Sequence, residues 1–338
     1  MLDDPAPQQK IRMSREERIR RIVGYLLIAV LSLITLYGVY RPLGPPGIDP
    51  GWQWAVNQAR DAGLIFGRDI VFTYGPLAYL MAPLDVSSNL LLANGFFLTV
   101  QVLFAVSLAV LFRRDPRLLP IAAFAVLFVI AHHQGLAVEG FFLLVVGLLS
   151  LLSVFTDHRI PLAIAATLAA ILLLVKMSLG VASLVILAAA LLIARVLFHR
   201  SYRLALGLVP FPAVLIVLGF LLFDRPGTFF TWLRLSAQVV SGYSVANSIT
   251  NAVSNAGLQV AVGVITVGVW IGLPIVLRHD KNLLAYNLLF APVVLIQFRL
   301  AFVRQDFHQI QFIPFMLALI AISVLFTHDR KFIGAHVA

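Results

Sequence analysis

Cysteine is absent from the 338 residues, and charge is scarce. Without thiols, the chain has no disulfides, no thiolate metal sites and no cysteine nucleophile. Only 12% of the residues are charged against 61% hydrophobic, and the mean hydropathy is +0.97. A soluble domain of this size cannot cover its surface with so few charges. Acidic residues are the scarcest class, 15 against 25 Lys and Arg, which leaves a formal net charge of +10.

What the chain does contain is a series of apolar runs of about 20 residues, the length that crosses a bilayer as a helix. They predict an all-α polytopic integral membrane protein of about ten transmembrane helices. The runs fall near 22–40, 89–112, 118–132, 136–155, 160–176, 179–198, 204–223, 256–277, 282–302 and 308–327. A basic tail, 1–21, precedes this bundle of 22–327, and a second short tail, 328–338, follows it. The first tail is polar, and the apolar run after it lacks a small-residue cleavage site, so it does not read as a cleavable signal.

The basic residues set the orientation. With the N-terminus cytoplasmic, the inner segments hold 17 of the 25 Lys and Arg, and each inner segment is basic. That is the positive-inside pattern. Both termini are then expected inside a bacterial inner membrane, with the long loops 41–88 and 224–255 on the outer face. The positive balance is topology, and nucleic acid is not an expected partner. The remaining eight are Arg41, Arg60, Arg68, Lys176, Arg225, Arg234, Arg299 and Arg304. Lys176 and Arg299 fall at or inside the outer ends of spans. A cation at that depth faces a cavity or a partner, or else snorkels to the headgroups. Arg41 and Arg225 directly follow spans and read as interfacial anchors.

The stretch from Asp49 to Leu80 is too polar and too punctuated for a span, with Trp52, Trp54, Arg60, Arg68, Asp49, Asp61, Asp69 and a Tyr74-Gly75-Pro76 turn. Asp49-Pro50 is a helix start, with Asp as N-cap and Pro at the first helical position. Trp52, Ala55, Val56 and Ala59 recur at helical spacing, and Gly63 can end this helix, which suits the membrane interface. Asp49 therefore has two readings, a cap or a general base at the outer mouth of the bundle. Asp69 pairs with Arg68 to hold the loop or serves as a second catalytic carboxylate. Trp52 and Tyr74 are the aromatic candidates for substrate contact. A second interfacial helix is expected in the fourth outer loop, where Trp232, Leu235 and Val239 recur. The polar run from Ser241 to Asn247 after it reads as a covering loop or a sugar contact.

Elsewhere, Arg304-Gln305-Asp306-Phe307-His308 reads as a salt-bridged cap between two spans or as a titratable group beside a phosphate. His132, His133 and Glu139 form a polar outer turn or a divalent-metal site.

The first span, the outer acidic residue, the interfacial helix, then Gly63-x-x-x-Gly67-Arg68-Asp69 and Gly75-Pro76-Leu77 together resemble the first outer loop of GT-C glycosyltransferases. A closer likeness is to bacterial membrane proteins that share Phe72-Thr73-Tyr74-Gly75-Pro76-Leu77 and the late Arg304-x-Asp306-x-His308 segment. The resemblance covers roughly residues 22–80, and the rest by topology alone. It implies a GT-C-like bundle that takes a sugar from a polyprenyl-phosphate carrier and moves it to a lipid or glycan acceptor on the periplasmic face. It implies Asp49 as the base. Arg68, Lys176, Arg299 and Arg304, with Asp306 and His308, would lie around the carrier phosphate. Membrane lipids and further membrane proteins are the other expected partners, and a divalent metal is the one candidate cofactor. The family's paired acidic motif is single here, because Pro50 follows Asp49, and no soluble C-terminal domain is expected.

Two other classes compete. A transporter or flippase of a lipid-linked substrate is disfavoured by the lack of a visible internal repeat and of paired broken midspan helices. A non-catalytic subunit with the same fold is allowed by the single acidic residue.

Overall fold

The computed structural model describes residues 14–36, 47–114, 116–133, 137–246, 256–276, 280–303 and 308–326. At 48, 114, 243–246, 256, 303 and 308 it describes the backbone alone.

The first helix, α1 (Arg15–Ile34), begins at Ser14, whose hydroxyl accepts from the Glu17 amide at 3.1 Å. It starts earlier than the apolar pattern indicated, because a Glu17–Arg21 ion pair at 2.7 Å lets the polar stretch continue as helix. The expected end near residue 40 lies outside the described residues. A short helix, α2 (Ile48–Gln58), follows at the entrance to the first long loop. Its N-cap is Gly47, not Asp49. The cap reading of Asp49 is thus corrected: Asp49 and Pro50 both fall in the first turn, where a missing N–H costs nothing. The helix ends at Gln58, and Gly63, at φ +66°, closes the turn beyond it.

The bundle then continues through α3 (Asn89–Arg114), α4 (Leu118–His133), α5 (Val138–Thr156), α6 (Arg159–Val175) and α7 (Met177–Val196). A 3₁₀ turn, Tyr202–Leu208, leads into α8 (Pro210–Leu222). The second long loop is mostly helix, α9 (Pro226–Ala246), so Ser241 lies on a helix and Asn247 lies outside the described residues. The chain closes with α10 (Ala256–Val276), α11 (Lys281–Val303) and α12 (His308–Ser323). Among the described residues the β pairing amounts to two isolated bridges, Phe66–Ile70 and Tyr74–Lys176.

Seven helical stretches are long and apolar enough to cross a membrane, while α4 and α6 are apolar but shorter. Exposed Leu33, Leu91, Leu119, Phe220 and Leu221 give this surface the apolar character that lipid, not water, covers. At the centre stands α5, buried at every position from Gly140 to Phe155. Around it pack α3, α6, α7 and α11. Phe155, Phe198 and Phe326 meet at one end of the bundle. The first long loop sits at the other, referred to below as the loop end.

That loop is stapled by one side chain. Asn57, fully buried, donates to Gln53 O at 2.9 Å and to Ala82 O at 2.8 Å. Its own oxygens accept from the Leu84 amide and from Asn89 at the head of α3. Asn57→Ala strips several buried groups of their partners and is expected to cost about 2 kcal/mol. A lowered thermal midpoint of the detergent-extracted protein checks this, and an unchanged midpoint would show that the loop does not depend on the staple.

Candidate functional site

The site is built where α6 breaks. Lys176 is extended, at φ −155° and ψ 122°, between the last residue of α6 and the first of α7. A helix interrupted there leaves carbonyls and amides without helical partners. The Phe72-Thr73-Tyr74-Gly75-Pro76-Leu77 segment supplies them. The Gly75 amide donates to Val175 O and the Leu77 amide to Leu174 O, each at 3.0 Å, and Thr73 O accepts from the Met177 amide at 3.0 Å. Gly75 is required by close approach, since a Cβ there would lie 2.3 Å from Leu174 O and 2.7 Å from Trp232 Cζ2.

The ammonium of Lys176 points into this junction. Its Nζ lies 2.9 Å from Glu139 Oε1 on α5 and 3.1 Å from the Tyr74 hydroxyl. It also stands 4.5 Å from the centre of the Tyr74 ring. The side chains of Lys176 and Glu139 are 15% and 13% exposed, so the pair is largely desolvated. An ammonium has three donors, and these two contacts leave one.

Above the pair lies an aromatic wall. Trp52 of α2 stacks on Tyr74 at 4.3 Å with planes 19° apart, and Phe72 stacks on Tyr74 at 5.2 Å. Trp52 Nε1 donates to Asp49 Oδ1 at 3.1 Å, one helical turn back on the same face. Asp49 itself is exposed. A continuous set therefore runs from Asp49 through Trp52, Tyr74 and Lys176 to Glu139. An aromatic face beside an oriented carboxylate can pack the apolar face of a ligand while accepting from its hydroxyls.

The rest of the loop is a brace. Gly67 takes φ +86°, and a Cβ there would meet Thr228 O at 2.4 Å and Trp232 N at 2.8 Å. Asp69 Oδ2 accepts from the Ile65 amide at 2.9 Å and from Arg68 Nη2 at 2.8 Å. Arg68 Nη1 reaches Asp224 Oδ2 at 3.3 Å, and the other oxygen of Asp224 accepts from the Thr228 hydroxyl of α9. Ser236 of α9 donates to Phe72 O at 2.7 Å. Trp232, fully buried, fills the space above Gly67 and Gly75. The geometry thus engages both Asp69 and Arg68 in joining the loop to α9.

Of the residues picked out from sequence, Asp49, Trp52, Tyr74 and Lys176 come together, and Arg68 and Asp69 lie in the adjoining brace. Arg299 is exposed on α11 and makes no ion pair or hydrogen bond among the described residues. Arg304 and Asp306 lie outside the described residues, as does the side chain of His308, which opens α12. The rings of His132 and His133 are 5.7 Å apart, and no three His, Asp or Glu groups assemble as metal ligands among the described residues. Glu139 accepts from Lys176. Sequence reasoning missed that partnership, although a lysine at membrane depth calls for a carboxylate, and Glu139 is the acidic residue inside the apolar runs. It also missed Asp224 and Ser236, which carry no local signal. Comparison with protein families, with curated proteins and with solved structures finds no match to the chain.

Two outcomes are expected. Breaking the buried pair with Lys176→Met or Glu139→Gln alone costs about 3 kcal/mol, because one charge stays unpaired. The double variant costs less than the sum of the two, and an additive thermal-denaturation cycle would refute the coupling. Acid acts on the brace. The Arg68 guanidinium, helped by the Ile65 amide, holds Asp69 below the usual carboxylate range. The Thr228 hydroxyl, with Arg225 and Arg68, does the same for Asp224. Their stabilisation is therefore complete at and above the usual carboxylate range and disappears as pH falls through the depressed folded values. Hydrogen exchange across 64–70 should accelerate over that acidic interval, and Arg68→Met should flatten the dependence.

Proposed function

We propose that the chain is a membrane glycosyltransferase of GT-C type, acting at the loop end with Asp49 as general base. The observation that carries the reading is the posture of Asp49: exposed, one oxygen fixed by Trp52 Nε1, beside an aromatic wall. A base must be oriented yet open to the proton it takes. The substrate class follows the resemblance of the first loop, a sugar on a polyprenyl phosphate and a hydroxyl acceptor. In the transfer, Asp49 accepts the acceptor's proton and the freed oxygen bonds to the anomeric carbon. The bond from that carbon to the phosphate oxygen breaks, and polyprenyl phosphate leaves with the electron pair. The remaining Lys176 donor, with Arg299 and Arg304, would meet the growing phosphate charge.

The bundle suits a lipid-borne donor. In this reading α1, α4 and α6 cross as well as the seven span-length stretches, and ten crossings would leave both termini on the cytoplasmic side of a bacterial inner membrane. Helices α2 and α9 then lie at the outer interface. A flippase of the same lipid is the second reading, favoured by the desolvated Lys176–Glu139 pair at a break between helices.

The deciding measurement is a lipid and envelope-glycan mass profile of cells with the wild-type chain, cells without it, and cells with Asp49→Asn at matched membrane abundance. Removing a general base lowers the rate by about 10²–10⁴-fold. Both defective strains should lose one sugar mass from a glycan while a carrier-linked sugar accumulates. A profile altered by deletion but untouched by Asp49→Asn would overturn the transferase and favour the flippase or a non-catalytic subunit.

A further inference from the structure

At the end opposite the loop, α7 stops in a tight reversal. His199 adopts φ +52°, and the Arg200 amide donates back to Ala194 O at 2.9 Å. This turn returns Arg200 to the side of Arg195 in the last turn of α7. Between them and the 3₁₀ turn lies a recess of about 250 Å³, lined by Leu191, Leu204 and Ala205 together with Arg195, Arg200 and Tyr202.

Its two cations are under-used. Arg200 Nη2 reaches Phe155 O at 3.4 Å and Nη1 stands 3.9 Å from Asp157 Oδ2. Its Nε is buried with no hydrogen-bond partner among the described residues. Arg195 is exposed and makes no ion pair among them. Asp157 is the sole acidic residue from 140 to 223, where Arg159, Arg195, Arg200 and Arg203 all lie. The recess is apolar inside, with Arg195 and Arg200 among the residues around it.

We propose that it binds an anionic phospholipid, with the phosphate at Arg195 and Arg200 and an acyl chain along Leu191 and Ala205. Charge complementarity selects the headgroup: a guanidinium offers paired donors to phosphate oxygens. The apolar lining selects a lipid over a free anion, because Leu192, Val196 and Leu206, neighbours in sequence of the lining residues, are exposed and a phosphate ion leaves them bare. Basic recesses between helices on the positive side of a membrane protein take acidic lipid headgroups in this way. This assignment is independent of the transferase reading.

Arg200 also holds Phe155 O, so Arg195, which makes no such contact, carries the test. The full chain in neutral detergent is titrated with phosphatidylglycerol, phosphatidylcholine and inorganic phosphate, and adducts are read by native mass spectrometry. The expected result is selective retention of phosphatidylglycerol, weakened about five-fold by Arg195→Gln and largely kept by Arg195→Lys. Arg234→Gln, at the other end, should leave it unchanged. Equal retention of phosphatidylcholine, or an Arg195→Gln titration matching wild type, would overturn the site. Displacement of the lipid by inorganic phosphate would overturn the lipid as its occupant.

Discussion

The rest of the bundle depends on how one interruption between helices is repaired. At Lys176 the backbone leaves the helical path, and the carbonyls of Leu174 and Val175 turn to the first loop instead. In an apolar environment each backbone polar group left unpaired costs several kcal/mol. The loop answers with amides, Glu139 answers with a carboxylate, and the Tyr74 hydroxyl completes the set. Backbone and charge are thus satisfied by two different parts of the chain. The first loop is consequently a structural member of the bundle and not a cover laid over it.

Local rules made much of this legible in the sequence. Apolar run length located α3 to α7 and α10 to α12 within a few residues, and helical spacing of Trp52 and Trp232 located α2 and α9, whereas the run at 204–223 is a 3₁₀ helix followed by α8. The failures have physical causes. Asp49-Pro50 carried a cap signal, but the helix had room to begin a residue earlier behind Gly47. The Phe72–Leu77 segment does lead into a short helix, Ala78–Leu80, but its hydrogen-bonding partner lies about a hundred residues away, where no local pattern points to it. Its strand-like pairing with the Lys176 junction is a tertiary fact. So is the seat of Trp232, which needs the missing side chains of Gly67 and Gly75, residues whose local role is that of turn formers.

The two ends of the molecule differ electrostatically. At the loop end, among the described residues, Lys176 is matched with Glu139, and Arg68 with Asp69 and Asp224. Those two cations answer the protein's own anions, Arg299 does not, and the exposed Asp49 stands beside the stacked rings of Trp52 and Tyr74. At the opposite end, arginines outnumber carboxylates around the close of α7.

The distant partners of the first loop also set an order of assembly. Tyr74 and Lys176 are separated by 102 positions, and Phe72 and Ser236 by 164. At a synthesis rate of about 5–20 residues per second, the loop waits roughly 5–20 s for its first partner and longer for its second. Four helices emerge in that interval. The polar segment that later closes the α6–α7 break must spend it at a membrane surface, with its backbone served by water.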